Sequence, residues 1–368
     1  MKKITYIFTR GRIAKVDNIE FSDDFFYGYR YLIEQKYDLN ALEFIKTNKV
    51  LSKIEHILSR IFSLPLYVFS IYTRKNYQML KHSDHIFLVS ESTGFAVLPM
   101  LFFLKKSNQI KTHMFVMGLF SKKINFIFFK NFHRFLIKTL VNNLDKLYFL
   151  GKEEFNLANE LIKDNNKLHF TSFYIDTNFW KQENLDIQKN TEILFVGNDG
   201  NRNYELLIKI AEVMSEYNFV FVSKHETITN LNLPNVRVLK GSWNSNILTD
   251  KDLREIYLSS RIVILPLIES NQPSGQSVTL QSMSLGIPVI ISNTNGFWDK
   301  DSFINNENIV FENSNTPISW KKSIESLYND VSKLNNISKN SINLVHEKYN
   351  LEIFNKFLLN EINNDTTL

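Results

Sequence analysis

The chain has 368 residues, 44% of them hydrophobic and 22% charged, with a formal net charge of +5. That length suits two soluble α/β domains of ordinary size. With no cysteine, a disulfide framework and thiolate chemistry are excluded.

The N-terminus, MKKITYIFTRGR, lacks the apolar core of a signal peptide. The most apolar run, Ile86 to Leu104, carries Glu91 and is broken by Gly94 and Pro99. It reads as a strand followed by a helix, not as a membrane span. These features point to the cytoplasm.

In chain order, Ile4–Phe8 reads as a strand and Asp23–Gln35 as a helix with Ser22 as N-cap. On that reading Asp23 and Asp24 complement the helix dipole. Strands follow at Ile86–Val89, Lys111–Met117 and Lys146–Leu150. Helices fall at Phe126–Leu140 and Glu153–Ile162, and Leu168–Ser172 is strand-like. Asp176–Asn190 is polar and aperiodic, as a linker would be.

The alternation then restarts. Strands are expected at Ile193–Val196, Phe219–Val222, Val236–Leu239, Ile262–Pro266 and Pro288–Ile291. Helices are expected at Tyr204–Glu216, Asp250–Ser260, Val278–Leu285, Ile318–Asp330, Leu334–Glu347 and Leu351–Ile362. This rhythm implies two doubly wound, Rossmann-like α/β domains facing a cleft. The expected divisions are 1–178, 191–350 and a C-terminal helix with tail, 351–368, packing back toward the first domain.

Charge is unevenly spread. Residues 1–190 hold 28 Lys and Arg against 18 Asp and Glu, whereas 191–368 hold 15 against 20. Residues 101–150 hold nine basic residues and one acid, Asp145, among ten phenylalanines. Such a window suits an anionic membrane surface, with Lys122, Lys123, Lys130, Arg134 and Lys138 outward. It equally suits a core helix whose lysine stems cover its rim. No nucleic-acid-binding motif is present.

Two loops invite an anion. In ILFVGNDGNRNYELL a strand ends at Gly197, with Asn198 next and Arg202 before a helix. Arg202 offers a fixed guanidinium fork for a diphosphate, or is a solvated turn residue. In LPLIESNQPSGQSVTLQSMSLGIPVIIS, Ser274, Gly275, Gln276 and Ser277 lie at a helix start, where open N–H groups favour phosphate. Lys224 could add positive charge or lie on the surface. Trp243 could stack on a base or pack its loop.

Both segments resemble the C-terminal half of the GT-B glycosyltransferases, in particular the large retaining group called family 4. The resemblance rests on Gly197 with Arg202, on Leu280–Ile290 as a form of LEAMAxGxPVI, and on Tyr174–Phe179 as a form of GIDTxxF. It implies a nucleoside diphosphate sugar as co-substrate, no metal and no other cofactor, and a glycan or lipid-linked acceptor held by the first domain. It also implies Gln281 near the ribose and His113 near the sugar, and it suits assembly of a surface polysaccharide or lipopolysaccharide. His113 is otherwise a structural residue of its strand. Glu91 could act as acid, base or acceptor ligand, or could cap a helix. Where the family carries two glutamates, this chain has Pro273 and Gln281, with Glu269 four residues earlier. Two rivals follow: a non-catalytic GT-B subunit that binds a partner enzyme, and a sugar-nucleotide 2-epimerase of the same fold.

Overall fold

The computed structural model describes residues 2–105, 109–122, 124, 126–162, 165–182, 190–241 and 247–363. The chain divides into two compact units. One comprises Met1–Asn18, Phe26–Ser172 and Phe357–Leu368; the other comprises Ile19–Phe25 and Phe173–Lys356.

The first unit is built on strands β1 (Lys3–Phe8), β2 (Asp38–Glu43), β3 (His85–Leu88), β4 (Lys111–Val116), β5 (Lys146–Phe149) and β6 (Leu168–Phe170). All pair parallel in the order β2-β1-β3-β4-β5-β6. Its helices are α1 (Tyr29–Glu34), α2 (Lys49–Phe62), α3 (Arg74–Lys81), α4 (Glu91–Leu104), α5 (Lys130–Asn142) and α6 (Lys152–Leu161). The Ile86–Leu104 run resolves into most of β3 and all of α4, a mostly buried helix. Strands sandwiched between helix layers are apolar on both faces, which is why β3 and β4 lack alternation.

The second unit holds β7 (Glu192–Val196), β8 (Phe219–Val222), β9 (Val236–Leu239), β10 (Ser260–Leu265), β11 (Val289–Ser292) and β12 (Val310–Glu312). They form a second parallel sheet, β12-β11-β10-β7-β8-β9. Read from the other edge, this is the 3-2-1-4-5-6 order of a dinucleotide-binding fold. Its helices are α7 (Tyr204–Val213), α8 (Glu226–Thr229), α9 (Asp250–Leu258), α10 (Gln276–Ser284), α11 (Pro317–Tyr328) and α12 (Val331–Lys348). The last helix, α13 (Leu351–Asn363), begins in the second unit and ends in the first. Its end is fixed to the first sheet, where Glu361 accepts from Lys146 Nζ and Tyr148 OH, each at 2.6 Å.

Two expectations are corrected. No helix starts at Asp23; α1 begins at Tyr29, after Gly28 in the left-handed region. Residues Ile19–Phe25 instead join the second unit. The stretch after Asp176 is not loose throughout, because Trp180 is fully buried. Residues 183–189 of the expected linker lie outside the described residues. Among the described residues no helix is long and apolar enough to cross a membrane.

Helix α10 ends in a Schellman turn. Ile287 N–H donates to Ser282 O and Gly286 N–H to Met283 O, each at 2.9 Å. Gly286 has φ +72°, and a Cβ there would lie 2.8 Å from Gln182 Nε2 and 2.9 Å from Ile342 Cδ1. Gly286→Ala should therefore destabilise the protein by about 1–2 kcal/mol or more. Urea unfolding measures this, and an unchanged midpoint would contradict the packing described.

Candidate functional site

In an open parallel sheet, ligands bind beyond the carboxyl ends of strands where the strand order reverses. In the second unit that point lies between β7 and β10, from which the chain winds in opposite directions. The loops leaving these two strands carry both anion-suited motifs. They are stitched together: Asn203 N–H donates to Pro266 O and Ile268 N–H to Asn201 O, each at 2.9 Å. Asn201 Nδ2 donates to Ser274 Oγ at 2.8 Å.

Gly197 directly follows β7 and leaves room for Arg202. A Cβ on residue 197 would lie 2.5 Å from Arg202 Nε and 2.8 Å from its Cγ. Arg202 is only 5% exposed. Its Nη1 lies 3.1 Å from Asp199 Oδ2, an ion-pair distance. Yet neither Nε nor Nη1 has a hydrogen-bond partner among the described residues. A buried cation with unspent donors is costly, and an anion bridging those donors would relieve the cost.

Asn198 joins this loop to its neighbours. Its Oδ1 accepts from Lys224 N–H at 2.6 Å, and its Nδ2 donates to Gly241 O at 3.0 Å. Lys224 follows β8 with an exposed side chain. Tyr204 donates to Asp199 O at 3.0 Å and stacks on His225 with ring centroids 4.0 Å apart. Burial, with Asp199 nearby, pushes the Tyr204 phenol up to about 12. Opposite, Gly275 has φ +82° and no capping side chain, so the first N–H groups of α10 receive no side-chain cap from it. Gln276 and Ser277 open that helix.

Gln281 lies deeper, 1% exposed. Its Nε2 donates to Asp24 Oδ2 at 2.7 Å, and its Oε1 accepts from Tyr257 OH at 3.4 Å. Asp24 comes from the Ile19–Phe25 segment. It also accepts from Trp180 Nε1 at 2.8 Å and Asp176 N–H at 2.7 Å. Burial pushes the Asp24 carboxyl up to about 8, against the pull of these donors. Nearby in sequence, Ser22 donates through N–H and Oγ to Asp250, each at 2.9 Å. At the other family position Pro273 is buried, and Glu269 accepts from Asn295 N–H at 2.9 Å. Trp243 lies outside the described residues.

The first unit has its own reversal point, between β1 and β3. Glu91 stands there as the first residue of α4, nearly buried, with Met117 N–H 3.4 Å from its Oε2. Glu154, at the start of α6, accepts from Gly118 N–H (2.7 Å) and Phe120 N–H (2.8 Å). Burial, reinforced by Glu91, pushes Glu154 up to about 8. His113 lies elsewhere, inside β4. Its Nε2 meets His85 Nδ1 at 3.1 Å and its Nδ1 meets Tyr148 OH at 3.0 Å. Burial, then neighbouring His85 and lysines, holds its imidazole well below the ordinary value. So the structure brings together Gly197, Asn198, Arg202, Ser274 and Gly275, with Lys224 joined through its backbone. Gln281 is held in the interior, and Glu91 and His113 occupy different levels of the other unit. Sequence reasoning missed Asp24, Asn201 and Tyr257, for which no local pattern gives a signal.

Comparison with known proteins bears on this geometry. Residues 176–344 match the family model Glycosyl transferases group 1. Solved structures similar to the whole chain include sucrose-phosphate synthase from Thermosynechococcus elongatus, with TM-score 0.71, 12% identity, and 99% of each chain covered. They include HepE from Anabaena with UDP and glucose: TM-score 0.68, 13% identity, 98% of this chain and 99% of that one covered. TarM from S. aureus, solved with UDP among its ligands, gives TM-score 0.64 and 12% identity over 99% of this chain and 100% of that one. A search of the curated proteins finds no match.

The Asp24–Gln281 pair can be tested directly. Gln281→Glu replaces a donating amide with a second carboxyl in a buried site, where one must hold a proton. We expect a loss of about 1–3 kcal/mol near neutral pH. With the Asp24 carboxyl at about 8, the folded state holds protons that the unfolded chain has released. The penalty should therefore grow as pH rises toward that value and shrink on acidification. Asp24→Asn in the same chain should restore stability. Urea unfolding across pH checks this; a Gln281→Glu variant as stable as the parent throughout would refute the pairing.

Proposed function

We propose that this GT-B-fold chain, whose residues 176–344 match the family model Glycosyl transferases group 1, transfers a sugar from a nucleoside diphosphate to a glycan or lipid-linked acceptor. The observation that carries the reading is Arg202, buried at the reversal point of a parallel sheet, its Nη1 at ion-pair distance from Asp199 and its Nε and Nη1 without a hydrogen-bond partner among the described residues. Opposite it lies the start of α10, where Gly275 supplies no side-chain cap. Together they suit the two phosphates of a leaving group whose negative charge grows as the glycosidic bond breaks. This assigns leaving-group stabilisation to the chain's own residues, with no resident metal or further cofactor in the reading. Lys224 adds charge at the open side, and Trp243 remains a proposed stacking partner for the base.

Gln281 could reach the ribose only by exchanging Asp24 for a ribose hydroxyl. Glu91, at the carboxyl edge of β3, is the acceptor-side carboxylate that we favour as acid or base. His113, with both ring nitrogens engaged within the sheet, would act from farther back. Retention at the anomeric carbon and work on a surface polysaccharide or lipopolysaccharide, at the inner face of the cytoplasmic membrane, complete the reading. A second reading, a non-catalytic subunit, draws on Pro273 and Gln281 at the family's glutamate positions.

Ligand binding to the native state raises its unfolding temperature. In a panel of UDP-, GDP-, ADP- and CMP-linked sugars, at least one should raise it. Arg202→Ala should weaken that ligand by about 1.5–3 kcal/mol, roughly one to two orders of magnitude in Kd. A donor affinity unchanged in the variant would remove Arg202 from the site. Donor binding without hydrolysis or transfer to any acceptor would favour the non-catalytic reading.

A further inference from the structure

Helix α2 is oriented unusually for a helix on an α/β domain. At about 100° per residue, Val50, Ile54, Ile57, Leu58 and Ile61 share one side, and Lys49, Lys53, His56 and Arg60 flank it about a third of a turn away. The normal arrangement turns the apolar side toward the core. Here the residue turned inward is Glu55, 3% exposed, accepting from Phe69 N–H at 2.7 Å and Ser70 Oγ at 3.3 Å. Val50 is 67% exposed and Ile57 48%. An ordinary surface helix would not leave its apolar side in water while burying its only carboxylate.

The same surface continues onto a second helix. The Phe62 ring, at the end of α2, packs against Phe129 at 5.5 Å and Phe132 at 4.7 Å. His133 Nδ1 meets Phe62 O at 2.6 Å. Beyond this joint Phe128 is 89% exposed and Phe135 59%. Scattered apolar residues on a surface need no explanation, but a contiguous set drawn from two touching helices does.

Charge selects what covers it. Glu55 is the sole acid of α2, and the stretch Ser92–Leu144 contains no Asp or Glu at all. Exposed Lys53, Lys122, Arg134 and Lys138 lie on the same two helices or the loop leading into α5; Lys123 lies outside the described residues. A second copy of this chain would set one acid-free basic face against another, which is repulsive. An anionic lipid surface offers both an apolar interior and negative headgroups.

We propose that α2 and the segment leading through α5 form one lipid-facing surface, with Val50, Ile54 and Ile57 entering an anionic bilayer beside Phe128, Phe132 and Phe135. This rests on the membrane reading of residues 101–150 and adds α2, which lies outside that window, as its apolar half.

The test is co-sedimentation of the full chain with vesicles of phosphatidylglycerol and phosphatidylcholine at low and high salt. The parent protein should bind, and part of the binding should survive high salt, because apolar insertion is not screened. Ile54→Ser with Ile57→Ser should reduce the salt-resistant binding by about tenfold or more. Phe128→Ser, at a side chain almost wholly in solvent, should lower it independently. Circular dichroism and the unfolding temperature should stay at parent values. If the α2 variant binds as the parent does, the role of α2 is overturned while the basic window stands. If the parent fails to bind anionic vesicles at low salt, both fall. Loss of a parent dimer in the α2 variant, without vesicle binding by the parent, would make the face a self-interface and overturn the lipid assignment.

Discussion

A Cβ on residue 197 would sit 2.5 Å from Arg202 Nε, and because glycine lacks that atom the guanidinium can lie flat against the end of β7. The rest of the donor site follows from this contact. Arg202 is drawn out of water beside the loop that leaves β10, and an isolated bridge between Arg202 and Leu267 fixes the two backbones. The sheet order makes β7 and β10 neighbours, so both loops emerge at one edge. A side chain at 197 would push Arg202 outward, and the site would become a solvated turn with a mobile cation.

The second unit depends equally on a piece of chain from far upstream. Residues Ile19–Phe25 cross to it and bring Asp24 to Gln281, Trp180 and Asp176. The same carboxyl thus anchors α10, whose first turn faces the anion site, and the turn from Asp176 to Trp180. Where the family resemblance expects a glutamate, an amide is what this neighbour requires. A carboxyl at 281 would confront Asp24 in a buried site where one of the two must hold a proton. The substitution is therefore coupled to a contact across 257 positions of sequence.

Much of this was legible in the sequence. Short β-branched or aromatic runs announce parallel strands, and both the buried Phe219–Val222 and the edge strand Val236–Leu239 emerged with the bounds expected of them. The glycine-centred loops and the GT-B fold were legible for the same reason: local chemistry dictates local backbone. Strand β2 escaped because Asp38–Glu43 is an edge strand with mixed composition and little burial. Strand β12 escaped because it is a three-residue edge strand that ends in a glutamate, Glu312. The expected helix from Asp23 failed because Asp24 is satisfied by tertiary partners and not by a helix N-terminus. The inward turn of Glu55 was likewise invisible, since periodicity locates an apolar stripe but not the direction it faces.

The central claim is that Arg202 and the start of α10 hold a diphosphate between them. A crystal structure with a bound nucleoside diphosphate tests it most directly. The account predicts phosphate oxygens within hydrogen-bond distance of Arg202 Nε or Nη1 and of the N–H groups of Gln276 or Ser277. Phosphates bound elsewhere, with the Arg202 donors still unspent beside Gly197, would contradict it.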